Sequence, residues 1–202
     1  MHIAEEEKVL VTMFIIGEQV YGSNEQTSTF DSLQQSDYVE LANHSYTHAG
    51  LRYQKFYTNP DEVVKDFERC EDSLKLNNKI VRTPGRNIWR TANITSTDIK
   101  KSADAADSLH QYGFTAVGWD LEWHYNNKLE LEATDDIMLQ QVDSLFANNK
   151  TKTPDHLVLL AHDQVYADAT DSTSLHLFIQ KLKNKDEYDF EVISRYPELK
   201  GE

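Results

Sequence analysis

Short apolar runs rich in β-branched residues recur at 11–16 (Val-Thr-Met-Phe-Ile-Ile), 38–42, 79–82, 114–119, 156–161 and 188–193, each with the length and character of a buried strand. Between them the apolar spacing changes to that of helices. The clearest predicted helix covers 60–75: Asn59 stands at the cap position, Pro60 at the first helical position, and Val63, Phe67, Cys70 and Leu74 repeat on one face. A second is predicted over 97–112, with Thr97 as cap, Ile99, Ala103, Ala106 and Leu109 as its stripe, and Gly113 to end it. A third is predicted over 135–147 behind Thr134, and a fourth over 172–183 behind Asp171, with Leu175, Phe178, Ile179 and Leu182 facing inward. Strand and helix alternate, which predicts an α/β domain with a parallel sheet, open or closed into a barrel, whose chemistry lies at the carboxyl ends of the strands. One segment breaks the rhythm. Ile3–Leu10 has the acidic helical pattern expected after a strand, yet no strand precedes it, so one strand is expected to be lacking. A barrel without it would leave an unpaired edge, which natural proteins cover or avoid.

Composition narrows the picture. A chain of 202 residues is expected to form one domain, 1–202, and a 39% hydrophobic content against 27% charged excludes a disordered or fibrous chain. Twenty basic against thirty-four acidic residues give a net charge of −14, a field that repels nucleic-acid phosphates and anionic membrane surfaces. No stretch nears the roughly 18 apolar residues of a membrane span, and residues 1–8 lack the plan of a signal peptide, so the chain as written reads as soluble. The single cysteine, Cys70, rules out an internal disulfide and a cysteine-based zinc site. Asn43, Asn93 and Asn149 begin glycosylation patterns, a weak signal at three short matches.

Four segments carry chemistry, each at the end of a predicted strand. Asn43-His44-Ser45-Tyr46-Thr47-His48 holds two histidines at a spacing that lets both meet one metal ion from a single helical turn. Arg82-Thr83-Pro84-Gly85-Arg86 offers a guanidinium for a carboxylate and a turn whose backbone N–H groups can face a pocket. Trp119-Asp120-Leu121-Glu122-Trp123-His124 combines aromatic rings suited to sugar faces with carboxylates that can orient a histidine. Leu157–Asp163 delivers His162 and Asp163 at the end of an apolar strand. Singly, each has a bland explanation: a chance histidine pair, a surface turn, core tryptophans, a capping aspartate. Their shared position at four successive strand ends is what the bland explanations lack.

With these residues in place, the sequence resembles the polysaccharide deacetylase family, the NodB-homology domains of carbohydrate esterase family four, over about residues 9–195. The resemblance implies a distorted (β/α) barrel lined by five ordered motifs. His44-Ser45-Tyr46-Thr47-His48 is similar to the second, His-Ser/Thr-x-x-His, whose histidines bind a divalent metal, usually zinc and sometimes cobalt. Thr12-Met13-Phe14-Ile15-Ile16-Gly17-Glu18 resembles the strand before it. Arg82-Thr83-Pro84 is similar to the third motif, whose arginine holds a catalytic aspartate, with Gly85 where an aromatic residue usually follows. Trp119–Trp123 resembles the fourth with its Asp-Ser-x-Asp-Trp ending replaced, which leaves open whether Asp120 or Glu122 orients the catalytic histidine. Leu157–Asp163 resembles the fifth, and His162 carries over as the general acid. The first motif, an Asp-Asp pair supplying the base and the third metal ligand, has no counterpart in residues 1–11 and is expected upstream of Met1, on the same strand that the periodicity lacks.

The resemblance implies a hydrolase that removes acetyl groups from a carbohydrate, first among them the N-acetyl of an amino sugar, with Trp119, Trp123 or Tyr46 as a stacking wall. It also implies a periplasmic or secreted location. Two alternatives stand beside it: a catalytically impaired carbohydrate-binding homologue, and a deacylase of non-carbohydrate C–N bonds on the same scaffold.

Overall fold

The computed structural model describes residues 2–199. In chain order the regular elements are α1 (His2–Glu7), β1 (Val11–Ile15), α2 (Gly17–Val20), α3 (Asn24–Gln35), β2 (Val39–Asn43), α4 (Tyr53–Phe56), α5 (Pro60–Leu74), β3 (Ile80–Val81), β4 (Ile88–Arg90), β5 (Thr95–Thr97), α6 (Ala103–Gln111), β6 (Thr115–Ala116), β7 (Leu121–Glu122), α7 (Asp135–Ala147), β8 (Leu159–Leu160) and α8 (Ala169–Lys183). This is the mixed α/β class that the alternation predicts. The chain divides into two compact units, Leu10–Gly118 with Val192–Glu202, and Met1–Val9 with Trp119–Glu191.

In the first unit six strands form one sheet in the order β1-β2-β3-β6-β4-β5, with β1, β2, β3 and β6 parallel and β4 antiparallel to both its neighbours. Helix α5 follows the predicted pattern: Val63, Phe67, Cys70 and Leu74 are buried, and Val63 and Phe67 pack with Val81, Ile88, Leu109 and Phe114. Burying a side chain of this size is worth roughly 1.5–3 kcal/mol, so this face holds the helix on the sheet. Asn59 makes no side-chain cap, and the acidic Asp61 and Glu62 of the first turn supply the favourable charge instead. Burial pushes the Cys70 thiol up to about 12, so it stays protonated and packs as an apolar group. Helix α3 is absent from the sequence expectations. Only Phe30 and Leu33 of its twelve residues are buried, too sparse a stripe to read, although Ser23 caps it by accepting from the Gln26 N–H.

Two expectations in this unit are corrected. Thr97 does not cap a helix; it ends β5, paired with Ile88 of β4, and α6 starts only at Ala103, leaving Ile99 exposed. Hydroxyl-bearing Thr95-Ser96-Thr97 finds ladder partners that a helix beginning there would forfeit. Residues 188–193 form no strand. Instead the amides of Ile193 and Ser194 donate to the Thr12 hydroxyl (2.8 Å) and the Glu40 carboxylate (3.1 Å), so side chains of β1 and β2 take donors that a ladder would need.

In the second unit β7 pairs in parallel with β8, Leu121 opposite Leu159 and Glu122 opposite Leu160. Its core gathers Trp123, Met138, Val142, Phe178 and Leu182 from β7, α7 and α8 and their flanks. Thr134 caps α7 as predicted, accepting from the Ile137 N–H. Helix α8 begins a turn earlier than predicted, because Asp168 rather than Asp171 caps it, accepting from the Thr170 and Asp171 amides. The predicted N-terminal helix is α1, fixed to α8 by Glu7, which accepts from Gln180 at 2.7 Å and His176 at 3.0 Å. The described helices include none long and apolar enough to cross a membrane.

Candidate active site

The first unit builds its site by carrying the parallel ladder past the ends of the strands. The His44 amide donates to the Ile15 carbonyl at 2.9 Å, and the Arg82 amide to the Asn43 carbonyl at 3.0 Å. Side chains then take over. Buried Asn43 accepts from the Ser45 amide and donates to the Phe67 carbonyl, the Ser45 hydroxyl accepts from the His48 amide, and Asp66 accepts from the Thr47 amide and hydroxyl. Asn43 spends its amide in this network and is 1% exposed, which removes it as a glycosylation acceptor. The histidines do not lie on one helical turn as their spacing suggested. Ser45 and His48 both take left-handed backbone conformations, φ 66° and 50°, at a cost this hydrogen-bonded loop sustains. The loop still brings the two rings together, with centroids 4.9 Å apart.

The His44 ring is oriented by a carbonyl. Its Nδ1 lies 2.8 Å from the Arg82 oxygen, and since a carbonyl only accepts, Nδ1 carries the proton and Nε2 the lone pair of the neutral ring. This is the outer-shell arrangement that presents a histidine to a metal. The Tyr53 hydroxyl lies 3.5 Å from His48 Nδ1, with the two rings edge to face.

Arg82 is 7% exposed. It donates to the carbonyls of Val117 and Gly118, and its guanidinium lies 4.2 Å from the centre of the Phe14 ring. These bonds tie β3 to the end of β6. Gly85 has φ 62°, and a Cβ there would stand 3.1 Å from the Tyr53 ring. The Tyr53 ring thus packs against Gly85 and occupies the space a side chain there would need. Sequence reasoning missed Tyr53, which lies outside the five motifs.

The second unit holds the other residues. Glu122 Oε1 lies 3.3 Å from His162 Nε2 and 3.5 Å from His124 Nδ1, so one carboxylate oxygen faces two imidazoles. Asp120 is spent elsewhere: its two oxygens accept from the Lys152 amide (2.7 Å) and the Val158 amide (2.8 Å), and burial raises its pKa above the usual carboxylate range. Of the two acids, Glu122 is the one placed against His162. A cavity of about 530 Å³ is lined by Glu122, His124, Tyr125, Asn126, His162 and Gln164. Tyr125 stands edge-on to His162 and accepts from Gln164 at 2.8 Å. His124 closes the quoted segment Trp119–His124 without having been assigned a role, Tyr125 and Gln164 adjoin the quoted segments, and their place on the cavity wall is what marks all three out.

The expected stacking wall changes. Trp123 is 1% exposed, donates to the Ala133 carbonyl and packs edge-on against Phe178, so it is a core residue with no face for a sugar. Tyr46 packs in a core cluster with the Arg69 guanidinium 3.6 Å from its ring centre, so that face is taken. Trp119 is half-buried.

The donor chemistry of His44 and His48 suits a divalent ion such as zinc: imidazole nitrogens, one with its tautomer fixed. The number of donors does not complete a site, since zinc normally takes three or four protein ligands. Among the described residues no three of His, Cys, Asp and Glu come together to hold a metal.

Comparison with known proteins bears on this geometry. A CE4-family pseudoenzyme from Bacillus anthracis has the same fold (TM-score 0.61, 17% identity, 96% of this chain covered), although the chain spans only 57% of that protein. A family 4 carbohydrate esterase from Streptomyces lividans, solved with acetate, superposes with TM-score 0.63 at 21% identity over 96% of this chain and 83% of the other. The peptidoglycan deacetylase PdaC of Bacillus subtilis gives 0.62 at 17% identity over 98% and 81%. No curated protein matches the chain. Residues 1–117, more than half of the sequence and the stretch that holds His44, His48 and Arg82, match the family model for polysaccharide deacetylase; the chain belongs to the polysaccharide deacetylase family.

Proposed function

We propose that the protein hydrolyses acetyl groups from a carbohydrate, with the N-acetyl group of an amino sugar as the reacting group and acetate and a free amine as products. The observation that carries this reading is the His44–His48 pair, with His44 held by the Arg82 carbonyl in the tautomer that presents a lone pair. His44 and His48 are the residues that would hold a divalent ion, zinc or cobalt, which when bound supplies Lewis acidity toward the acetyl oxygen. Arg82 keeps the His44 carbonyl partner in register through its bonds to Val117 and Gly118. His162 gives a proton to the leaving amine, and Glu122 fixes its orientation and stabilises the imidazolium while the ring is charged. A periplasmic or secreted setting belongs to the same proposal, on the family resemblance.

The two-histidine donor set keeps a second reading alive, that of a catalytically impaired homologue, and the Bacillus anthracis neighbour is itself named a pseudoenzyme. One assay separates them: acetate release from N-acetylglucosamine oligomers with zinc present. Release that disappears in His162→Ala supports the deacetylase. No release from the unaltered chain, with the oligomers still bound, establishes the impaired homologue. Linear N-acetyl amides in the same panel test the non-carbohydrate deacylase.

A further inference from the structure

Beside the histidine pair, the first unit carries a second concavity whose charge runs against that of the chain. Its volume is about 420 Å³, within the range of small-molecule sites, and its wall consists of Leu51, Arg52, Tyr53, Gln54, Lys55 and Arg86. Three of the six are cations and none is a carboxylate, in a protein of net charge −14. Among the described residues none of Arg52, Lys55 and Arg86 has an acidic partner. Arg86 is held in place at the wall by Nη1, which donates to the Gly85 carbonyl at 2.7 Å. The rim is shaped deliberately, since Ala49, Gly50 and Leu51 are successively left-handed (φ 60°, 53° and 58°) and leave Leu51 76% exposed at the edge. Tyr53 links this concavity to the candidate active site, because the residue that lines it also reaches His48.

We infer that this concavity is a subsite for an acidic sugar, a ring bearing a carboxylate next to the N-acetyl sugar that reacts; the inference rests on the deacetylase reading above. Guanidinium groups pair a planar carboxylate through two parallel hydrogen bonds, which a lysine cannot do, and two of the three cations are arginines. Tyr53 and Leu51 supply apolar surface for the ring. The repulsive field of the rest of the protein makes the concavity selective by position: an acidic polymer is tolerated only where its charge meets these three residues.

The test is calorimetric titration of the chain at low salt with two tetrasaccharides of equal length, one alternating glucuronic acid with N-acetylglucosamine and one of N-acetylglucosamine alone. The acidic tetrasaccharide is expected to bind about tenfold more tightly, the scale of one charge-assisted contact, with the advantage shrinking as salt is added. In Arg52→Gln/Lys55→Gln, which alters two exposed side chains, the two ligands should bind equally. Equal binding by the unaltered chain, binding of neither, or full displacement of the acidic ligand by an equal concentration of inorganic phosphate would each overturn the inference. The two readings fail separately. Preference without acetate release keeps the subsite and removes the deacetylase, and acetate release without preference does the reverse.

Discussion

His44 and His162 are both half-buried imidazoles at strand ends, and the difference lies in what each ring leans on. His44 rests against a backbone carbonyl that the ladder and Arg82 hold rigidly, and the polar groups around it, Asn43, Ser45 and Arg82, are themselves buried. His162 rests against Glu122, on the wall of an open cavity, and shares that carboxylate with His124, which is 66% exposed. A neutral carbonyl partner settles the tautomer and leaves the ring neutral, as a ligand must be. A carboxylate partner also stabilises the charged ring, as a proton carrier needs. The partner, more than the histidine, assigns the role.

The sharpest way to break this comparison is to delete each ring. His162→Ala is expected to lower acetate release by about 10²–10⁴-fold, the range of a general acid or base, with zinc binding by calorimetry unchanged. His44→Ala should remove both. Activity surviving in His162→Ala, or zinc binding surviving in His44→Ala, would undo the assignment.

Arg82→Met comes next. It leaves the carbonyls of Val117 and Gly118 without their donors and is expected to cost about 2–6 kcal/mol, at about 1–3 per orphaned buried group. Urea denaturation measures that loss, and zinc affinity should fall with it, since the Arg82 carbonyl is what His44 leans on. A destabilised variant that binds zinc unchanged would separate the two.

The pair Asp120 and Glu122 sharpens the other half. Asp120→Ala is expected to lose about 1–3 kcal/mol of stability, because the Lys152 and Val158 amides lose their acceptor. Glu122→Gln should leave urea stability nearly unchanged while lowering acetate release and shifting its pH profile. The opposite pattern would make Asp120 the orienting acid.

This is also where the sequence stopped short. The strand-end positions of His44, Arg82 and His162 were legible, because a buried parallel strand announces itself by apolar runs, and so were the stripe of α5 and the cap of α7, which are local; β7, which carries Glu122, was not, being too short to form a run of its own. Asp120 and Glu122 were indistinguishable, since which one meets His162 depends on the register of β7 against β8, Glu122 opposite Leu160. Trp123 read as a sugar platform because burial is not a local property. The segment 188–193 looked like a strand by composition, but the amide of Ile193 and that of the adjacent Ser194 donate to the Thr12 hydroxyl and the Glu40 carboxylate instead of to a ladder. Tyr53 was invisible because its contacts with Gly85 and His48 are made only in the fold.

The smallest expected effect tests whether a carboxylate partner alone makes a histidine catalytic. His176 meets Glu7 at 3.0 Å and Glu6 at 3.3 Å, yet these contacts only fasten α1 to α8. The hydrogen bond from His176, then that from Gln180, with the charge of Lys183 adding, hold the Glu7 carboxyl below the ordinary glutamate range against the opposing effect of burial. A carboxyl whose folded pKa is depressed contributes stability above its unfolded value, about 4.3, and loses it as the pH falls through the folded value. Glu7→Gln should therefore lower Tm by a few degrees at pH 7, converge on the unaltered protein as the pH falls below about 4, and leave acetate release at neutral pH unchanged. A Tm difference that persists undiminished in acid would show that the Glu7 contact works by shape and not by charge. A loss of activity at pH 7 would mean that the partner rule drawn from His44 and His162 does not separate structural from catalytic histidines in this protein.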